Sequence, residues 1–173
     1  MLCNPEKILC VGLNYKSHAE ETGGAAPKEP VIFSKFNDAL AEDGQEIVLP
    51  RWRRCYDYEA ELVVVMGQPL YHAESEEEAQ AAIGGYTCGN DLSARDCQFR
   101  SNQWLLGKSF PGFAPIGPRI VSAGAFDVQK PHRIVCEVNG VVVQEDDVTN
   151  MIFSCAEIIA YISLNFCPFH RAI

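Results

Sequence analysis

Short apolar segments alternate with polar turns along the whole chain, and most segments are too short for core helices. Apolar runs of this length, rich in Val and Ile and bounded by Gly, Pro or charged residues, predict buried β-strands. Strands are predicted at residues 7–12, 31–36, 47–50, 62–66, 83–87, 116–121, 133–138 and 141–144. Asn139-Gly140 separates the last two strands and predicts a hairpin with a type I′ turn.

Helical signals are fewer and equally short. Helices are predicted at residues 75–82, from 93 to about 102, and at 154–163, with a helix or turn at 14–21. The first three begin with a serine followed three positions later by an acidic residue, the spacing of a capping box: Ser75 with Glu78, Ser93 with Asp96, and Ser154 with Glu157. The pattern predicts an α+β, β-rich fold with short helices.

Length, composition and charge indicate one soluble globular domain. The 173 residues are 47% apolar, which is enough for a sizeable core. A formal charge of −9 argues against nucleic acid or an anionic membrane as a partner. No apolar run approaches the roughly 20 residues needed to cross a bilayer. The start lacks the pattern of a signal or transit peptide, which predicts a cytoplasmic protein, or a mitochondrial one if an upstream targeting segment is missing.

The eight cysteines form no Cys-x-x-Cys pair, and several lie inside apolar runs. A free cysteine in such a run behaves as a small hydrophobic residue. Reduced thiols are therefore favoured over disulfides or a zinc site.

Acidic residues alternate along the start of one predicted strand, in Asp57-Tyr58-Glu59-Ala60-Glu61. Side chains two positions apart on a strand point to the same face. Carboxylates aligned on one face repel each other, and a divalent cation would compensate them. The alternative is a solvated strand end, where acidic residues are common.

Asp91 offers a third carboxylate after the predicted strand at 83–87. Two glutamates and an aspartate, without paired His or Cys, suit a hard cation: Mg²⁺, or Mn²⁺ or Ca²⁺. The alternative is that Asp91 only opens a turn before Ser93.

Several segments together resemble the fumarylacetoacetate hydrolase (FAH) domain-containing family, in particular its short FAHD2-like members. They are residues 12–18, 30–35, 57–61, 90–98, 104–108 and 138–140. The resemblance implies a mixed β-roll or sandwich and a metal held by Glu59, Glu61 and Asp91.

Catalytic roles also follow from the resemblance. His18 and Glu21 would form a dyad on a mobile lid, and Lys108 would stabilise an enolate. Taken from the residues alone, His18 and Glu21 share a helical face and could equally be a solvated pair. Lys108 alone would be interpreted as an exposed lysine.

Substrate-binding positions are expected at Ser34, Arg95 and Gln98. Arg95 and Gln98 are three apart on a predicted helix and would face the same way. The implied substrate is a small 2-oxo or β-keto acid, such as an acylpyruvate or oxaloacetate. Hydrolysis, decarboxylation and keto–enol tautomerisation all pass through a metal-stabilised enolate, and the resemblance does not choose among them.

The resemblance is lost from Leu164 onwards. The sequence therefore predicts an incomplete catalytic domain at 1–163, with closing strands missing, and a divergent tail at 164–173. An unfinished sheet exposes edges that seek a partner. The alternative to an enzyme is thus an inactive, truncated isoform that folds poorly or pairs with a full-length copy. Family members are expected to be homodimers.

Overall fold

A computed structural model describes residues 5–17 and 26–165. Its strands are β1 Ile8–Gly12, β2 Val31–Lys35, β3 Leu40–Glu42, β4 Tyr56–Asp57, β5 Ala60–Met66, β6 Ile83–Asn90, β7 Ser93–Ala94, β8 Ala114–Ser122, β9 Arg133–Val138 and β10 Val141–Asp147. Its α-helices are α1 Glu76–Ala81, α2 Arg95–Gln98, α3 Leu105–Lys108 and α4 Cys155–Ser163, with 3-10 turns at Asn37–Ala39 and Val148–Asn150. The predicted α+β, β-rich class with short helices is confirmed.

The largest sheet in the described residues has four strands in the order β3-β8-β6-β5. β3 runs parallel to β8, whereas β6 is antiparallel to both of its neighbours. Three two-stranded antiparallel ladders accompany it: β1-β2, β4-β7 and β9-β10. β5, the strand that follows Glu59, is thus an edge strand of this sheet.

Helices α1 and α4 cover one region of the sheet and form the main core with β6. The buried side chains of this cluster include Ala79 of α1, Tyr86 of β6 and Ile159 of α4. A second cluster forms around Phe113, which is fully buried and packs against Tyr56 and Phe110. This second cluster lies beneath α2 and β7, so it supports the residues between Asp91 and Gln98.

One predicted hairpin turn and one predicted helix cap are confirmed. Asn139 and Gly140 both have positive φ, 52° and 79°, as a type I′ hairpin turn requires. The Ser154 hydroxyl accepts from the N–H of Glu157, and the Glu157 carboxylate accepts from the N–H of Ser154. This complete capping box starts α4 at Cys155. At α1 the serine cap formed, but Glu78 accepts from the N–H of Glu74 instead.

The prediction of a helix from residue 93 was wrong. Ser93 lies in β7, pairs with Asp57 and donates its hydroxyl hydrogen to the carbonyl of Asp91. It therefore cannot cap a helix, and α2 starts only at Arg95, without a side-chain cap.

Two further segments differ from the prediction. Residues 47–50 form no strand, because their backbone pairs with no described strand. The side chain of Ile47 is instead packed against the Phe113 cluster. The segment 103–112, for which neither helix nor strand is predicted from the sequence, contains α3. The two short helices pack so closely that a Cβ on Gly107 would lie 2.5 Å from the backbone N of Gln98.

We expect Gly107→Ala to destabilise the fold by about 1–3 kcal/mol, because the added methyl group must push two backbones apart. The matched control is Gly124→Ala, where an added Cβ meets nothing within 4 Å. That change should stay within about 0.5 kcal/mol of the wild type. Urea unfolding measures both, and equal stability of the two variants would contradict the close packing of α2 and α3.

Candidate metal centre and active site

The β5-β6 ladder brings the predicted carboxylates to one end of the sheet. Glu59 directly precedes β5 and Glu61 is its second residue, while Asp91 directly follows β6. Ala60 pairs with Asn90, and the N–H of Asp91 donates to the carbonyl of Glu59 at 2.8 Å. Antiparallel pairing at the start of β5 thus places Ala60 beside Asn90, which lies 30 positions later in the sequence.

Lys108 lies between two of these carboxylates. Its Nζ donates to Glu59 Oε2 at 2.6 Å and to Asp91 Oδ2 at 2.7 Å. The side chain is 2% exposed, and its Nζ also lies 5.2 Å from the centroid of the Phe33 ring. A lysine buried in this way is held by charge, so Lys108 is part of the carboxylate cluster and not a surface residue.

Lys35, at the end of β2, is a second buried lysine in the cluster. Its Nζ donates to the carbonyl oxygens of Leu92, Lys108 and Phe113 at 3.1, 2.6 and 2.7 Å. It also lies 2.5 Å from Asp91 Oδ1. Burial lowers the pKa of Lys35, and the charge of Asp91 opposes that effect. Lys35 therefore joins three backbone segments beneath the cluster.

The side-chain carboxylate of Glu61 has no ion-pair or hydrogen-bond partner among the described residues. It lines a cleft of about 180 Å³ between β1, β5 and α4, whose other walls are mainly apolar. Burial raises the pKa of its carboxyl from 4.5 to about 8, and the neighbouring charges of Glu59 and Asp91 add to this effect. The positive charges of Lys108 and Lys35 oppose this rise in pKa without cancelling it.

The donor set suits a hard divalent cation. In the part of the chain that the structure describes, no three acidic, His or Cys side chains already form a coordination shell, because Lys108 separates Glu59 from Asp91. Asp91 Oδ1 is buried and lies 2.5 Å from Lys35 Nζ, so an ammonium group already compensates part of its charge. The buried Glu61 carboxylate has no such partner among the described residues, and carboxylate oxygens in this condition are the ligands that Mg²⁺ and Mn²⁺ take.

Arg95 and Gln98 lie beside the cluster, and their predicted proximity is confirmed. Arg95 Nη2 lies 2.7 Å from Glu59 Oε1 and 2.8 Å from Asp57 Oδ2. Arg95 Nη1 donates to Gln98 Oε1 at 2.7 Å. Asp57, predicted on the same side as the two glutamates, therefore pairs with the guanidinium group. The use of Arg95 and Gln98 in substrate binding stays a prediction.

Ser34, His18 and Glu21 are the remaining predicted residues. Ser34 is adjacent to Lys35 on β2, so strand alternation turns its side chain away from the face that Lys35 uses. Its substrate-binding role stays a prediction. His18 and Glu21, the expected dyad, lie outside the described residues.

Lys35 belongs to the cluster but was not among the site residues predicted from the sequence, where the end of its strand could be either a polar edge or part of a pocket wall. The available signal was a lysine closing an apolar strand, a position where a long cationic side chain must reach either solvent or a buried acid. Nothing in the sequence pairs residue 35 with the carbonyls of residues 92, 108 and 113. That proximity depends on how β2 packs against α3.

Comparison with known proteins places the chain in a family. Residues 7–170 match the family described as "Fumarylacetoacetate (FAA) hydrolase C-terminal". The chain belongs to this FAA hydrolase family. The resemblance noted from the sequence is thereby confirmed, and the family consists of enzymes.

Curated relatives in the FAA hydrolase family share 40–45% identity with the chain. Fumarylacetoacetate hydrolase domain-containing protein 2 homolog from Dictyostelium discoideum is 45% identical over 94% of this chain and 56% of its own length. Oxaloacetate tautomerase FAHD2A, mitochondrial, from Homo sapiens is 43% identical over 92% of this chain and 51% of its own. The chain thus spans about half the length of these relatives.

Solved structures of FAA hydrolase family enzymes superpose closely. 5-carboxymethyl-2-hydroxymuconate delta-isomerase from Mycobacterium smegmatis has a TM-score of 0.88 at 35% identity, over 98% of this chain and 66% of that chain. Fumarylpyruvate hydrolase from Pseudomonas aeruginosa, solved with Mn²⁺ and pyruvate, has a TM-score of 0.87 at 32% identity. The superposition covers 96% of this chain and 74% of that chain. A divalent metal and a small 2-oxo acid thus occur together in a relative.

The raised pKa of Glu61 predicts a pH-dependent stability in metal-free buffer. The unfolded chain releases this proton near pH 4.5 and the folded chain near pH 8, so stability falls as the pH rises between these values. Glu61→Gln removes this contribution. In EDTA, Glu61→Gln should therefore gain stability relative to the wild type from pH 5 to pH 8, measured by urea unfolding. Parallel pH profiles of the two proteins would contradict the pKa shift.

Proposed function

We propose that this chain holds one divalent cation, Mg²⁺ or Mn²⁺, with Glu59, Glu61 and Asp91 and acts on a small 2-oxo acid through its enolate. The observation that carries the proposal is the position of Lys108, whose ammonium group lies between two of the three carboxylates. A cluster arranged in this way places a fixed positive donor beside the expected metal ligands.

The charge balance of the cluster supports a divalent ion. With all three carboxyl groups ionised, Glu59, Glu61 and Asp91 supply three negative charges, and Lys35 and Lys108 supply two positive ones. The adjacent pair of Arg95 and Asp57 adds no net charge. Burial in a largely apolar cleft is the main cause of the raised pKa of Glu61, and the negative charges of Glu59 and Asp91 add to it. A divalent cation would change the excess of one negative charge to one positive charge, which favours an anionic substrate.

Each residue has a role that its contacts support. Lys108 would donate a hydrogen bond to the oxygen that becomes negative when the 2-oxo group enolises. Arg95 would hold a substrate carboxylate, because guanidinium groups bind carboxylates in a bidentate manner. Gln98 orients Arg95 through Nη1. The cation, when bound, would act as a Lewis acid on the 2-oxo-carboxylate.

Keto–enol conversion of oxaloacetate is the reaction we propose first. In this reaction the enol oxygen loses a proton and carbon 3 gains one, so no other reactant is needed. Support comes from the human relative named as an oxaloacetate tautomerase, which is 43% identical. His18 and Glu21 would carry the protons, as the family resemblance implies. Acylpyruvate hydrolysis is the second candidate, because fumarylpyruvate hydrolase superposes on the fold and was solved with pyruvate.

Assembly and location stay predictions. We expect a homodimer, as the family resemblance implies. The described residues contain no helix whose length and apolar character would suffice for a membrane crossing. A cytoplasmic location was expected from the sequence, whereas the name of the human relative assigns that protein to mitochondria.

The enolate mechanism predicts the loss of activity in Lys108→Met. With Mn²⁺ present, the wild type should accelerate the decay of enol-oxaloacetate absorbance, and Lys108→Met should lose about 100-fold or more of that rate. Lys130→Met is the control, because Lys130 is 74% exposed and forms a surface ion pair with Asp127. It should retain the wild-type rate.

The contrary outcomes are distinct. Equal rates for Lys108→Met and the wild type would remove Lys108 from the mechanism. No acceleration of oxaloacetate enolisation or fumarylpyruvate cleavage by the wild type would support the inactive, truncated isoform instead.

A further inference from the structure

The side chain of Gln144 contacts the edge of β5 at the residue between the two glutamates. Its Oε1 accepts a hydrogen bond from the N–H of Ala60 at 2.8 Å, and its Nε2 donates to the carbonyl of Ala60 at 3.3 Å. Because β5 is an edge strand of the sheet that residues 5–17 and 26–165 form, these two groups have no partner on a neighbouring described strand. The primary amide of Gln144 therefore acts as a single peptide unit added to the sheet.

A β-bulge in the β9-β10 hairpin directs Gln144 to this position. Val142 pairs with Glu137, and Gln144 pairs with Cys136, so Val143 is an extra residue on β10. A bulge reverses the alternation of side chains beyond it. Gln144 thus lies on the same side as the partly buried Cys136 and faces β5, whereas Val142 and Glu137 are exposed.

The backbone around Ala60 is fixed from two sides. Within the sheet, Asn90 Oδ1 accepts from the N–H of Glu59 at 3.0 Å, and the N–H of Asp91 donates to the carbonyl of Glu59 at 2.8 Å. From outside the sheet, the side-chain amide of Gln144 contacts both the N–H and the carbonyl of Ala60. The strand cannot slide or twist between Glu59 and Glu61 without breaking one of these contacts.

We propose that Gln144 is a positioning residue for the metal centre, which aligns the Glu59 and Glu61 carboxylates by holding the peptide groups of Ala60. This inference rests on the proposed metal site. Residues that orient metal ligands change metal affinity when they are removed, often by about 10–100-fold. Gln144 would act in this way through the backbone and not through a direct contact with a carboxylate.

The test compares Gln144→Met, which has a similar length and no hydrogen-bonding amide, with Val142→Ala on the exposed side of the same strand. Mn²⁺ affinity is measured by electron paramagnetic resonance titration of the full chain below its melting temperature. Hydrogen exchange of the Ala60 amide is measured in EDTA. We expect Gln144→Met to bind Mn²⁺ about tenfold or more weakly and to exchange the Ala60 amide faster. Val142→Ala should match the wild type in both.

Three outcomes would overturn the proposal. Unchanged exchange at Ala60 would show that the amide contact does not exist in solution. Faster exchange with unchanged Mn²⁺ affinity would show that Gln144 only covers the edge of the sheet. Absence of Mn²⁺ binding by the wild type would overturn the metal centre itself and the role of Gln144 with it, whereas normal binding by Gln144→Met overturns that role alone.

Discussion

Charge compensation inside the cleft is the constraint on which the rest of the structure depends. Three carboxylates converge where β5 begins and β6 ends, and two buried lysines neutralise part of their charge. A buried charge without compensation costs several kcal/mol, on the order of the whole stability of a domain. The carbonyls around Lys35 and the ion pairs of Lys108 therefore stabilise the fold at the proposed site, and the Glu61 carboxylate has no partner in the part of the chain that the structure describes.

The secondary structure around the cleft supplies these groups from distant parts of the sequence. β2 delivers Lys35, the β5-β6 ladder delivers the carboxylates, and α3 delivers Lys108. The close packing of Gly107 on Gln98 fixes α3 against α2, so the position of Lys108 depends on a glycine that carries no functional group. Small elements of four residues are sufficient here because buried ion pairs and the Phe113 cluster hold them.

Much of this arrangement could be predicted from the sequence, where the deciding signals are local. The Asn139-Gly140 turn and the Ser154 capping box depend on a few adjacent residues, and both formed as predicted. The alternation of Asp57, Glu59 and Glu61 likewise indicated the acidic strand. The Ser93 signal failed because a tertiary ladder with Asp57 competed with the cap. The contacts of Lys35 and Gln144 could not be predicted, since they join segments 57 to 84 residues apart.

Binding of a divalent metal ion by Glu59, Glu61 and Asp91 together can be tested with an anomalous difference map from crystals of the chain soaked with Mn²⁺. We expect one strong peak with carboxylate oxygens of all three residues within about 2.0–2.6 Å, the range for hard divalent ions. A map without a peak at this cluster, or with the ion held elsewhere, would exclude the proposed metal centre.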